Sequence, residues 1–197
     1  MKKFFSIVLS ASLMILLVGN IAMAKGKSDG EITLVGKMGM DLMGKIGNKD
    51  NSREIENSFS VAGEGLYNIN SKLAIGAGVE YQPEREMADF VLGHLKYSAI
   101  PVYGLVKYTL PVEREFELFF TGKIGCNFST VKATSSIFDL FGIDSPKENN
   151  NGVCFGGGVG FVYDKMFLVE LNYSLYNIDE DFCYSKLTLA GGINFSL

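Results

Sequence analysis

The sequence predicts an all-β fold: a closed, antiparallel, eight-stranded up-and-down β-barrel that crosses a bilayer with its strands. Three observations carry this prediction. Eight segments alternate apolar and polar residues with period two, the mark of a strand with one greasy and one polar face. Short connections alternate with long polar ones between those segments. An N-terminal stretch has the layout of an export signal, and no later run is apolar for the ~18 residues that a spanning helix needs.

Composition narrows the field first. The chain has 197 residues, 47% of them apolar and 20% charged, with a formal net charge of −4. It is too apolar for disorder and too acidic for a nucleic-acid binder. Three cysteines are too few for a disulfide scaffold, and a single histidine removes chemistry that needs two imidazoles. No cofactor and no metal site are expected. Glycine is in excess, with 23 residues where ordinary usage is about 7%.

Lys2 and Lys3 precede an apolar stretch over 4–18, then Ala22-Met23-Ala24 and the polar Lys25-Gly26-Lys27. This order predicts a secretory signal peptide over 1–24, cleaved after Ala24, and a barrel domain over 25–197.

The strands follow. Segment one, 32–43, sets Ile32, Leu34, Met38, Met40 and Leu42 against Lys37 and Asp41. Segment two, 58–68, sets Phe59, Val61 and Tyr67 against Ser60 and Glu64. Segment three, 73–81, opposes Leu73, Ile75, Val79 and Tyr81 to Glu80. Segment four, 100–109, opposes Ile100, Val102, Val106 and Tyr108 to Lys107. Segment five, 116–128, has Phe116, Phe120, Ile124 and Phe128 against Glu117 and Lys123. Segment six, 153–163, has Val153, Phe155, Val159, Phe161 and Tyr163 against three glycines. Segment seven, 167–175, has Phe167, Val169, Leu171, Tyr173 and Leu175 against Glu170. Segment eight, 186–196, has Leu187, Leu189, Ile193 and Phe195 against Lys186 and Thr188. Links 68–71, 111–115 and 164–165 are tight, whereas 44–57, 82–96, 130–151 and 177–183 are long and polar.

Ile100-Pro101-Val102, the Gly156–Gly160 run with Val159, and Leu189-Ala190-Gly191-Gly192-Ile193-Asn194-Phe195 resemble the small eight-stranded outer-membrane barrels of the OmpA and OmpX kind. The resemblance covers most of 30–197. It implies residence in the outer membrane of a Gram-negative-type envelope, with short turns and termini in the periplasm and long loops outside. It also implies a terminal strand recognised by the barrel-assembly machinery. Leu189, Ile193, Phe195 and Leu197 keep that alternation, but the chain ends in Leu where the family usually ends in Phe.

The polar face carries Lys37, Asp41, Glu64, Glu80, Lys107, Glu117, Lys123, Glu170 and Lys186. An eight-stranded interior is just wide enough for side chains to fill, and charges there are costly unless paired. The preferred expectation is a salt-bridged plug; a narrow solute or ion path is the alternative. Tyr67, Tyr81, Tyr108, Tyr163, Tyr173, Phe116, Phe128 and Phe167 lie near segment ends on the outward face, where aromatic girdles belong.

Candidate chemistry is sparse. His94 and Ser98 share the second outer loop with Glu86 and Asp89, the kind of residues a lipid-modifying enzyme would use. Proximity in sequence does not place a base within reach of a nucleophile, and the expectation is no catalysis. The triple-glycine run sits inside a strand and lacks the strand–turn–helix context of a phosphate cradle. Cys126 is expected toward lipid and Cys154 toward the lumen, which disfavours that disulfide; a Cys154–Cys183 bridge stays open, and free thiols are the default. Met87, Phe90, Val91, Leu92 and Leu95 stand at helix-like spacing in loop 82–96, and 137–143 is apolar for a loop tip. Such patches mark a rim contact, an outer-leaflet contact or a host or cell-surface ligand site through loops 82–96 and 130–151. The chain is therefore expected to be a monomeric structural or surface-interaction barrel with outer-membrane lipid as its surroundings and no nucleic-acid partner.

Overall fold

The computed structural model describes residues 30–48, 51–55, 57–90, 93–112, 115–134, 147–179 and 182–197. The expected signal segment 1–24 and the apolar loop stretch 137–143 lie outside the described residues. Nine strands are present among them: β1 (Ile32–Asn48), β2 (Asn51–Ile55), β3 (Ser58–Asn68), β4 (Leu73–Phe90), β5 (Gly93–Pro111), β6 (Phe116–Thr134), β7 (Lys147–Tyr163), β8 (Phe167–Asp179) and β9 (Phe182–Ser196). Eight of these form the barrel. Neighbours run antiparallel in the order β1-β3-β4-β5-β6-β7-β8-β9, and β1 closes on β9 from Thr33↔Ser196 to Gly47↔Cys183. The short β2 folds back on β1 and meets β4 at Ile55↔Met87.

The tight connections fall at the places expected: 69–72, the link between Val112 and Glu115, whose two intervening residues lie outside the described ones, and 164–166. Asn70 shapes the first, its side-chain oxygen accepting from the backbone N–H of Lys72 and Leu73 at 2.9 and 2.8 Å. Asp164 and Lys165 turn the third with positive φ of 50° and 57°.

The long links behave differently from expectation. The described parts of 82–96 and 130–151 are not loops: β4 and β5 continue as a hairpin to Phe90↔Gly93, and β6 and β7 pair to Lys132↔Lys147. Met87, Phe90 and Leu95 therefore belong to strands, not to a helical stripe. Links 44–57 and 177–183 are likewise mostly β1, β2, β8 and β9. The physical reason is that the hydrophobic alternation depends on lipid, while the hydrogen-bond ladder does not. Above the bilayer the outer face meets water where it met lipid below, so the pattern fades while the pairing continues.

The apolar face points outward along every strand. Met38, Ile124, Phe155 and Tyr173 are about half exposed or more, and equivalent residues cover the whole circumference. The interior holds the opposite set: Lys37, Asp41, Glu64, Lys107, Glu170 and Lys186 are all buried. A water-soluble barrel has the reverse polarity. This one has a lipid-facing band and a polar core.

Candidate functional site: the charged interior and the outer rim

The interior side chains sort into layers. Toward the short turns, Val35, Leu66, Leu105, Phe119, Val162 and Leu168 form an apolar layer, each no more than 3% exposed. Lys107 stacks over the Phe119 ring at 4.1 Å. Glu117 lines a cavity with Lys107 below this layer.

Above lies a four-charge cluster. Lys37 Nζ reaches Glu64 at 2.7 Å and Glu170 at 2.6 Å, and Lys123 Nζ reaches the same two carboxylates at 3.3 and 3.8 Å. The Tyr103 hydroxyl donates to Glu64 at 2.9 Å, and the Thr121 hydroxyl donates to Glu170 at 2.7 Å. Two cations thus face two carboxylates, each of which also accepts one hydroxyl. That is the condition under which buried charge is tolerated.

A second balanced cluster sits further out. Asp41 accepts from Arg85 at 2.6 Å, from Lys186 at 3.1 Å and from the Thr188 hydroxyl at 2.7 Å. Lys186 also pairs with Glu80. Gln82 joins the layers, donating to Glu80 at 3.1 Å and to the Tyr176 hydroxyl at 3.0 Å. Arg85 donates to the Tyr184 hydroxyl at 2.6 Å, and Tyr184 stacks on Tyr176 at 5.3 Å and meets Tyr97 in a tilted contact at 5.2 Å, so that the three rings cap the interior.

Glycine gives these long side chains their room. A Cβ on Gly158 would stand 2.7 Å from Glu170 Oε1 and 2.9 Å from Thr121 Oγ1. One on Gly78 would stand 2.7 Å from the Tyr103 ring and 2.8 Å from Glu64.

Seven of the nine interior residues singled out from sequence thus fall into the two clusters, and Lys107 and Glu117 lie apart from them. Arg85 and Gln82 were missed. They follow Pro83 or flank it, and a register shift between Gln82 and Arg85 turns Arg85 inward. An arginine two residues beyond a proline in a polar stretch reads as loop.

The other candidates separate. Ser98 is half-buried on the outer wall of β5, and the backbone of His94 pairs with Thr134 four positions further out. The His94 side chain lies outside the described residues, so the pair acquires no catalytic geometry. Cys126 is exposed and Cys154 buried, on opposite faces of adjacent strands, and the three cysteines are free. Cys183 is exposed as well and its Sγ donates weakly to Asn177 at 3.8 Å, so it does not bridge Cys154. Leu189 is exposed and Ile193 and Phe195 are half-buried on the lipid face of β9, the strand that closes the barrel, and Leu197 is exposed just past its end. The eight girdle aromatics are all exposed. Phe116 and Tyr163 lie opposite each other with ring centroids 5.0 Å apart.

Eight closed antiparallel strands, charge inside and an apolar band outside define a small transmembrane barrel of the outer-membrane type. Solved structures of that type share the fold. The chain is similar to Ail, the attachment invasion locus protein of Yersinia pestis, with TM-score 0.60 and 14% identity over 85% of this chain and 99% of that one. It is similar to neisserial surface protein A, with TM-score 0.52 and 12% identity over 82% and 96% of the two chains. It is also similar to OprG of Pseudomonas aeruginosa, with TM-score 0.52 and 12% identity over 87% and 98%. No family model and no curated protein sequence matches the chain.

Proposed function

We propose that this protein is exported through residues 1–24 and resides in the outer membrane as a non-catalytic barrel with a surface-interaction role. The observation that supports this most is strand length. β4, β5 and β6 have 18, 19 and 19 residues. A tilted transmembrane strand needs about 9–11, so the surplus raises the hairpins roughly 20 Å above the bilayer. That length is not needed for spanning. It presents the hairpins over 82–96 and 130–151 at the cell surface, where a host or neighbouring-cell ligand can meet them. Ail, named for attachment and also solved with the heparin analogue sucrose octasulfate, offers a precedent on this fold.

Three measurements test the reading. Membrane fractions should show the chain migrating faster unheated than boiled, as a closed barrel does. Protease added to whole cells should cut the chain at the outer ends of the hairpins and leave the barrel core intact. Cells carrying the protein should adhere to host-cell monolayers or to one another more than cells lacking it; equal adhesion in both assays overturns the interaction role. The competing enzymatic reading predicts altered lipid on replacing His94→Ala. Unchanged lipid composition is expected.

A further inference from the structure

The outer wall carries a groove that spanning a bilayer does not require. It crosses β4–β7 where the exposed surface turns from apolar to polar. Its lower row holds Tyr81, Ile100 and Phe128, ending in Asn151 opposite Phe128. Its upper row holds Ser98, Thr130 and Asn149, aligned by Ser98↔Thr130 and Thr130↔Asn149. The groove encloses about 300 Å³, the lower end of small-molecule sites. The Thr130 hydroxyl donates to Asn149 Oδ1 at 3.0 Å, which fixes that amide and leaves its Nδ2 to face outward. The Ser98 and Tyr81 hydroxyls and the Asn151 side-chain amide have no hydrogen-bond partner among the described residues.

We propose that this groove binds the uncharged sugar headgroup of a membrane glycolipid. The inference rests on the membrane placement proposed above. Ile100 and Val102, both 45% exposed, carry the groove straight into the lipid-facing band. A ligand anchored in the bilayer reaches the site without leaving the membrane, its chains descending over these two residues. The lining contains no ionised group. In the next row outward, Glu86, Lys96, Lys132 and Lys147 stand in cross-strand register, and Lys132 pairs with Glu84. That row lies beyond the groove's lining, which offers a ligand hydroxyls and amides but no cation. Hydroxyls and amides beside aromatic faces match a sugar ring, whose edge is polar and whose faces are not.

The test uses the folded barrel in phosphatidylcholine nanodiscs containing either glucosyl-diacylglycerol or phosphatidylglycerol at the same fraction. With the glycolipid, amide NMR signals of Ser98, Thr130, Asn149 and Asn151 should shift, and native mass spectrometry should retain the lipid on the barrel. Replacing Ser98→Ala and Asn151→Ala together should cut retention about tenfold or more, since each lost hydrogen bond is worth ~1 kcal/mol. Both side chains face outward, and heat-modifiable migration verifies that the variant still closes. Equal shifts with phosphatidylglycerol, or none with either lipid, overturn the inference while leaving the membrane placement intact. Failure of the barrel to insert into nanodiscs overturns that placement and this inference with it.

Discussion

Asp41 holds more of the interior together than any neighbouring carboxylate in the outer cluster, since Arg85, Lys186 and Thr188 all bond to it. Replacing Asp41→Ala leaves Lys186 paired with Glu80 and takes from buried Arg85 the carboxylate it pairs with. Breaking a buried pair in this way costs about 3–5 kcal/mol, and urea unfolding of the barrel in micelles should read that loss. A change below ~1 kcal/mol would mean that water reaches the cluster and screens it. Glycine supplies a second residue-scale contrast. Gly158→Val forces two methyls against Glu170 and Thr121 and should destabilise by about 1–3 kcal/mol. Gly63 and Gly122 have nothing within 4 Å of an added Cβ, so Ala at either should be nearly neutral in the same assay.

At the scale of the element, β6 shows what sequence can and cannot convey. Its outward residues Phe120, Ile124 and Phe128 face lipid, and alternation with Thr121, Lys123 and Asn127 makes this part legible. Six residues past Ile124, Thr130 occupies the same face in the same ladder, but its surroundings are polar and the pattern stops. The strand does not stop with it. The same cause hid the outer halves of β4, β5 and β7 and the whole of β2, and it hid Arg85, which was read as loop yet lies buried against Asp41. The lumen lysines and carboxylates were legible because each interrupts an apolar run at the right parity. Their sorting into two neutral clusters was not, because cross-barrel partners such as Lys37 and Glu170 are 133 residues apart. The boundary on β6 predicts a position-dependent cost. Ile124→Arg, near the middle of the band at 60% exposure, should cost about 2–4 kcal/mol when the barrel is folded into vesicles. Thr130→Arg on the same face should cost under ~1 kcal/mol, and equal penalties would place the bilayer edge elsewhere.

For the whole molecule the open question is conduction, and the layers decide it. A solute entering from outside meets the tyrosine cap of Tyr97, Tyr176 and Tyr184, then two neutral charge clusters, then the apolar layer around Phe119. The interior cavity bounded by Lys37, Glu80, Lys123 and Asn172 measures about 20 Å³, and the one beneath Leu66 about the same. Each is the size of a single water. An ion crossing this path would have to displace Lys37 or Lys123 from both carboxylates and then enter a layer with no polar partner, a step costing several kcal/mol. Planar bilayers containing the barrel should therefore show no steady openings. Weakening the charge clusters alone should not open a path, since the apolar layer still blocks it. Steady conductance from the unaltered chain would refute the plugged interior. It would mean that the clusters exchange partners on the timescale of permeation, and Lys123, which already shares both carboxylates with Lys37, is where such an exchange would begin.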